Sequence, residues 1–172
     1  NCATELLDRR VAGGDGERVC LRAPGGLSWT YRDLLGQANR IANVLVRELG
    51  VRPGNRVLLR APNNPMLAAC WFAVVKAGAI AVTTMPLLRA RELEQIVDKG
   101  RITHALCEHA LRGDLEEVAA KRPFLAHLCC FNDPSGEGLE AAMARQPASF
   151  DDVAPAADDT CILAFTSGTT GR

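Results

Sequence analysis

Four short apolar runs constrain this chain most: "RVLLR" (56–60), "AIAVT" (79–83), "THALC" (103–107) and "HLCCF" (127–131). Their centres fall near 58, 81, 105 and 129, in almost even steps. Each gap holds one helical pattern: Met66–Ala77 ending at Gly78, Arg89–Lys99 ending at Gly100, and Leu115–Lys121 ahead of Pro123. Runs of this length and composition read as strands, and a crossover between parallel strands needs about a dozen residues or more. Three successive crossovers predict an α/β fold, a largely parallel sheet with helices on its faces. The spacing is the rhythm of that fold and not a sequence repeat.

The residues before this rhythm predict a short helix at Glu5–Arg10, a turn at "GGDGE", and strands Arg18–Arg22 and Leu27–Thr30 joined by "APGG". Thr30, with Asp33 three positions on, makes a capping pattern. Leu34, Ala38, Ile41, Leu45 and Leu49 then trace one apolar helical face that Gly50 closes. After residue 131 the chain turns polar, with one helix at Leu139–Arg145 and a Pro/Ala/Asp-rich connection to a last strand, Thr160–Thr166.

At 172 residues, with 48% hydrophobic and 23% charged residues, the chain has globular composition and the size of one ordinary domain. Twenty basic residues balance twenty acidic ones, so no net field draws it to nucleic acid or to an anionic membrane. It carries no signal-peptide pattern and no membrane-spanning run. Its seven cysteines are odd in number and form no Cys-x-x-Cys pair. They are expected to be reduced, mostly buried thiols of a cytoplasmic protein.

The last strand runs into Thr166-Ser167-Gly168-Thr169-Thr170-Gly171. Glycines let backbone N–H groups converge on an anion, hydroxyls add donors, and open α/β sheets take ligands at the carboxyl ends of their strands. The competing reading is a flexible polar turn. Two residues between Gly168 and Gly171 are too few for a Walker loop, and "GGDGER" lacks a dinucleotide fingerprint's third glycine.

The order of those six residues after an apolar strand resembles the phosphate-binding loop of the adenylate-forming (acyl-activating, AMP-binding) superfamily. "SWTYRDLLGQANRIANVLVRELGVRPGNRVLL", "NNPMLAACWFAVVKAGAIAV" and "DDTCILAFTSGTTG" are similar, in order, to its opening helix and first strand, its next helix and strand, and the approach to its loop. Thr83-Thr84-Met85-Pro86 departs from the turn common in the family and is similar to that of aminobenzoate-CoA ligases.

The resemblance implies that residues 1–172 are the N-terminal part of a large domain within a longer enzyme. Residues 1–55 would be opening helices and hairpin, 56–131 the βα repeats, 132–159 a connection, and 160–172 strand and phosphate loop. It implies ATP-dependent activation of a carboxylic acid, aromatic in this reading, to an acyl-adenylate, then transfer to coenzyme A. Mg²⁺ would accompany ATP, and Thr166, Ser167, Gly168, Thr169, Thr170 and Gly171 would hold the phosphates. Catalytic residues are not identified, oligomeric state stays open, and this stretch alone would be inactive. The alternatives are an adenylation domain loading a carrier-protein thiol and a non-catalytic α/β module that binds a phosphate-bearing ligand.

Other candidates yield to plainer readings. His104, Cys107 and His109 of "HALCEH" invite a metal, but on a strand His104 and Cys107 face opposite ways and a fourth ligand is not evident. Cys129 and Cys130 take opposite faces of one strand. Arg89 or Arg91 could reach an anionic substrate, and otherwise they are solvated positions at a helix start. Trp29 and Trp71 read as core.

Overall fold

The computed structural model describes residues 1–166. The N-terminal residues are helical, with wide π-type turns at Thr4–Asp8 and Val11–Asp15. An antiparallel hairpin follows, β1 (Val19–Arg22) and β2 (Ser28–Thr30). Helix α1 (Tyr31–Asn43) starts at the foreseen capping box. The Asp33 N–H donates to Thr30 Oγ1 at 3.1 Å, and the Thr30 N–H donates to the Asp33 carboxylate at 2.8 Å. That backbone donation is the first reason the Asp33 carboxyl lies below its usual range.

Then come β3 (Arg56–Arg60), α2 (Pro65–Lys76), β4 (Ile80–Thr84), α3 (Ala90–Gly100), β5 (His104–Glu108), α4 (Arg112–Lys121), β6 (His127–Phe131) and α5 (Leu139–Ala144). The four later strands form one sheet in the order β4-β3-β5-β6, every pair parallel. From β3 the chain steps one way to β4 through α2, then back across β3 to β5 through α3. Right-handed crossovers in opposite directions put their helices on opposite faces.

Strand alternation confirms two packed layers. Val57, Leu59, Ala81, Leu106 and Phe131 face α1, α2 and α5, while Leu58, Val82, Ala105 and Cys107 face α3 and α4. Both sides of β3 and β5 are therefore dry, as parallel strands require. Cys129 joins the first layer and Cys130 the second, on opposite faces as the alternation implies.

Several expectations need correction. The N-terminal helical stretch is longer than Glu5–Arg10, because Ala3 and Leu7 are buried and Lys76, fully buried on α2, pairs with Asp8 at 2.6 Å and with Asp152 at 2.8 Å. Gly100 does not end α3 by a left-handed turn; Arg101 takes that conformation at φ 47°. A Cβ on Gly100 would lie 3.0 Å from the Ile102 side chain, so close packing suits a glycine there. The last strand shrinks to one parallel bridge between Ile162 and Ala81. That segment lies at the sheet edge with its outward residues exposed, so little burial extends the pairing. Only Cys70 and Cys107 are buried, and the other five cysteines are half-buried, although all seven are free. Trp29 and Trp71 pack on the core from outside and are also half-buried.

Candidate functional site

All four strands of the sheet point the same way, so the loops after their carboxyl ends gather along one rim. The segment that ends the described chain joins this array beside β4. The Ala81 N–H donates to the Cys161 carbonyl at 2.9 Å, and the Leu163 N–H donates to the Ala81 carbonyl at 3.0 Å. Because the pairing is parallel, the backbone runs from Leu163 in the direction of β4. Thr166, exposed, is the last described residue. Ser167, Gly168, Thr169, Thr170 and Gly171 lie outside the described residues.

The rim is organised by a residue the sequence reading passed over. Arg60 ends β3, and its side chain is 1% exposed. Its Nη2 donates to the Leu88 carbonyl at 2.7 Å and to the Asp114 carboxylate at 3.2 Å. Nη1 reaches the Met85 carbonyl and Nε the Leu111 carbonyl, both at 3.4 Å. Asp114 also accepts from the Ala90 N–H at 3.1 Å. One guanidinium thus ties the loop after β4 to the loop after β5. A buried cation is tolerable only when partnered in this way. The clamped loop leaves Met85 and Leu87 exposed. In "RVLLR" the second arginine reads as a solvated strand end, and only its place beside an apolar run hinted otherwise. Lys76, the sole charged residue in the apolar stretch "MLAACWFAVVKAGAIAV", carried a clearer signal of a buried pair.

β3 and β5 are neighbours whose following helices leave on opposite faces, the arrangement that usually opens a ligand crevice. Here it is bridged. Asn64 Nδ2 and Asn132 Nδ2 both donate to one Glu108 oxygen, at 3.0 and 2.9 Å. Asn64 also caps α2, accepting from the Leu67 N–H at 2.9 Å. Open space lies instead toward β4, where a cavity of about 410 Å³ is lined by Arg22, Asn64, Leu67, Trp71 and Thr83 among others.

The residues of "HALCEH" are engaged separately. His104 Nε2 donates to the Leu49 carbonyl at 2.9 Å, Nδ1 accepts from Thr103 Oγ1 at 2.7 Å, and burial lowers its pKa. Burial pushes the Cys107 thiol up to about 12. His109 Nε2 accepts from Arg112, and Nδ1 lies 3.0 Å from the Asp133 carboxylate. Among the described residues no group of three or more His, Cys, Asp or Glu side chains is arranged to hold a metal. Arg89 lies 3.4 Å from Asp114 and is 80% exposed, and Arg91 is exposed on the first turn of α3. No helix of the described residues is long and apolar enough to cross a membrane.

A parallel α/β sheet whose edge segment feeds a Ser/Thr/Gly sequence belongs to the class of proteins that take ligands at the carboxyl rim. The family model for AMP-binding enzymes matches residues 7–172, and the chain belongs to that family. It is 39% identical over 151 residues to a feruloyl-CoA synthase of an Amycolatopsis species, covering 86% of this chain and 28% of the relative. It is 33% identical over 178 residues to a salicyl-AMP ligase/salicyl-S-ArCP synthetase of Mycobacterium tuberculosis, covering 99% of this chain and 30% of the relative. The structure matches that of an anthranilate CoA ligase in complex with anthranoyl-AMP with a TM-score of 0.89 and 27% identity, over 98% of this chain and 32% of that one. The chain thus spans about a third, or slightly less, of the length of these proteins.

Proposed function

We propose that this chain is the phosphate-binding part of a ligase that activates an aromatic carboxylic acid with ATP and passes the acyl group to coenzyme A. The carrying observation is the parallel bridge at Ile162, which directs the chain through Thr166 along β4 toward the carboxyl rim. The named relatives support the substrate class: feruloyl, salicyl and anthraniloyl groups are all aromatic acyl groups.

In this reading the substrate carboxylate attacks the α-phosphorus, pyrophosphate leaves, and a thiol then displaces AMP from the acyl-adenylate. A carboxylate needs no general base for that attack. Thr166, Ser167, Thr169 and Thr170 donate hydroxyl hydrogen bonds to the β- and γ-phosphates, and Gly168 and Gly171 let the backbone approach them. Hydroxyl and phosphate oxygens are the hard donors Mg²⁺ prefers, and Mg²⁺ bound with ATP would screen the phosphate charge. The loop's part is electrostatic positioning.

The test is ATP–pyrophosphate exchange by the protein at full length. Thr169→Ala or Thr170→Ala should slow exchange about 10- to 150-fold with the fold intact, the effect of losing a donor to a charged oxygen in the transition state. Exchange at the unsubstituted rate would make the loop only a turn. Residues 1–172 alone should form no acyl-adenylate. The second reading, delivery to a carrier-protein thiol, is favoured by the salicyl-S-ArCP synthetase relative. Acyl transfer to a carrier protein and not to coenzyme A would select it.

A further inference from the structure

A cavity of about 740 Å³ opens at the opposite end of β4 from the proposed loop. Cys2 and Cys161 both line it. They come from the two ends of the described chain, and the nearby Cys161 is, after burial, among the reasons the Cys2 thiol is raised. Both backbones are independently anchored. Asn1 Nδ2 donates to the carbonyls of Val75 and Val153 at 3.0 and 2.9 Å, and its Oδ1 accepts from the Ala3 N–H at 3.0 Å. Thr4 Oγ1 donates to Asp152 at 2.6 Å. On the other side, the carbonyl of Cys161 is held by the Ala81 N–H at 2.9 Å.

We propose that Cys2 and Cys161 form an oxidisable thiol pair, a site where a hydroperoxide closes a disulfide between the N-terminal helix and the segment that leads to Thr166. The other cysteines do not offer the same opportunity. Cys107 and Cys130 face each other in register across β5 and β6, but Cys107 is buried in the layer under α3 and α4. Cys70 is buried on α2, Cys20 donates to the Trp29 carbonyl at 3.4 Å, and Cys129 and Cys130 point to opposite faces. Cys2 and Cys161 are half-buried, border open space, and lie in the first turn of a helix and in a singly bridged edge segment. Those are the places where the backbone yields most easily to close a bond of about 2.05 Å.

The chemistry balances with the peroxide as sole oxidant. One thiolate attacks the outer peroxide oxygen and the O–O bond breaks, leaving sulfenic acid and, once protons are counted, water from hydrogen peroxide or an alcohol from an organic hydroperoxide. The second thiol attacks that sulfur and expels water, so the two thiols together have given two electrons to one peroxide. Burial and the neighbouring Cys161 push the Cys2 thiol up. Oxidation should therefore quicken as pH rises.

The experiment is hydrogen peroxide treatment of the native protein, alkylation of remaining thiols, and peptide mapping without reductant. The expected product joins the Cys2 and Cys161 peptides, is lost on adding dithiothreitol, and raises the melting temperature by roughly 5–15 °C. In Cys161→Ser, with unchanged circular dichroism, Cys2 should instead proceed to sulfinic acid and the melting-temperature rise should vanish. The proposal is overturned if Cys2 and Cys161 are recovered as alkylated thiols while others oxidise. It is equally overturned if Cys2 appears in a disulfide with any of the remaining five cysteines.

Discussion

"RVLLR" and "CILAF" look alike as sequence, yet the molecule treats them differently. The first is β3, paired on both sides and packed on both faces, with Val57, Leu58 and Leu59 at most 1% exposed. The second makes one bridge to Ala81 and leaves Ile162 44% and Phe165 36% exposed. The difference lies in what stands beside each strand. Composition sets the capacity to pair, and neighbours on both edges and both faces convert it into a strand. The scaffold is therefore rigid where the fold is specified and lightly held where the chain approaches the proposed loop.

The largest effect that could break this contrast is expected at Lys76, which ties α2, packed over β3, to Asp8 and to Asp152 in the connection that leads to Cys161. Lys76→Met should cost about 3–5 kcal/mol in urea unfolding, since it strips a buried cation from its acids. A loss below about 1 kcal/mol would show that the two regions are not coupled there. Next, Leu59→Ala should cost about 2–5 kcal/mol, the range for truncating a fully buried leucine.

A smaller effect comes from pH. His104, 6% exposed, has a folded pKa below its unfolded value of 6.5, mainly through burial. The folded state then binds fewer protons, so stability is complete above about pH 6.5 and falls as pH drops through that value toward the folded pKa. His127 stacks on the ring at 4.8 Å, and Leu49 and Thr103 supply its hydrogen-bond partners. His104→Gln should flatten this limb of a stability–pH curve, and an unchanged limb would assign it to other groups. Smallest of all, Ile162→Ala should change stability by less than about 0.5 kcal/mol. A cost matching that of Leu59→Ala would erase the distinction between centre and edge.

The scaffold was legible because its signals are local. Residues 56–60 and 127–131 were bounded correctly, and the Thr30–Asp33 cap marked the start of α1 from sequence. Helix ends shifted by one residue where a side chain or a close contact decided them, as at Asn64 and Gly100. What escaped reading were interactions between residues far apart in the chain. Arg60 binds carbonyls 25 to 51 positions away, and Lys76 reaches Asp8 and Asp152. No periodicity encodes such partners. Of the candidate site, the proposed loop from Ser167 onward lies outside the described residues, and the organisation of the rim was not legible because it depends on Arg60.

Asn39 and Asn43 of α1 have a consequence for how this protein can change over generations. Asn39 Nδ2 donates to the Ala148 carbonyl at 2.8 Å, and Asn43 Nδ2 donates to the carbonyls of Pro147 and Ser149 at 3.3 and 2.9 Å. Both amides grip main chain, which every residue type offers alike. Letters in the connection can therefore drift while its path persists. A single inserted or deleted residue there would put every carbonyl after it out of step with the grip, so variation at this point should run through substitution and spare length.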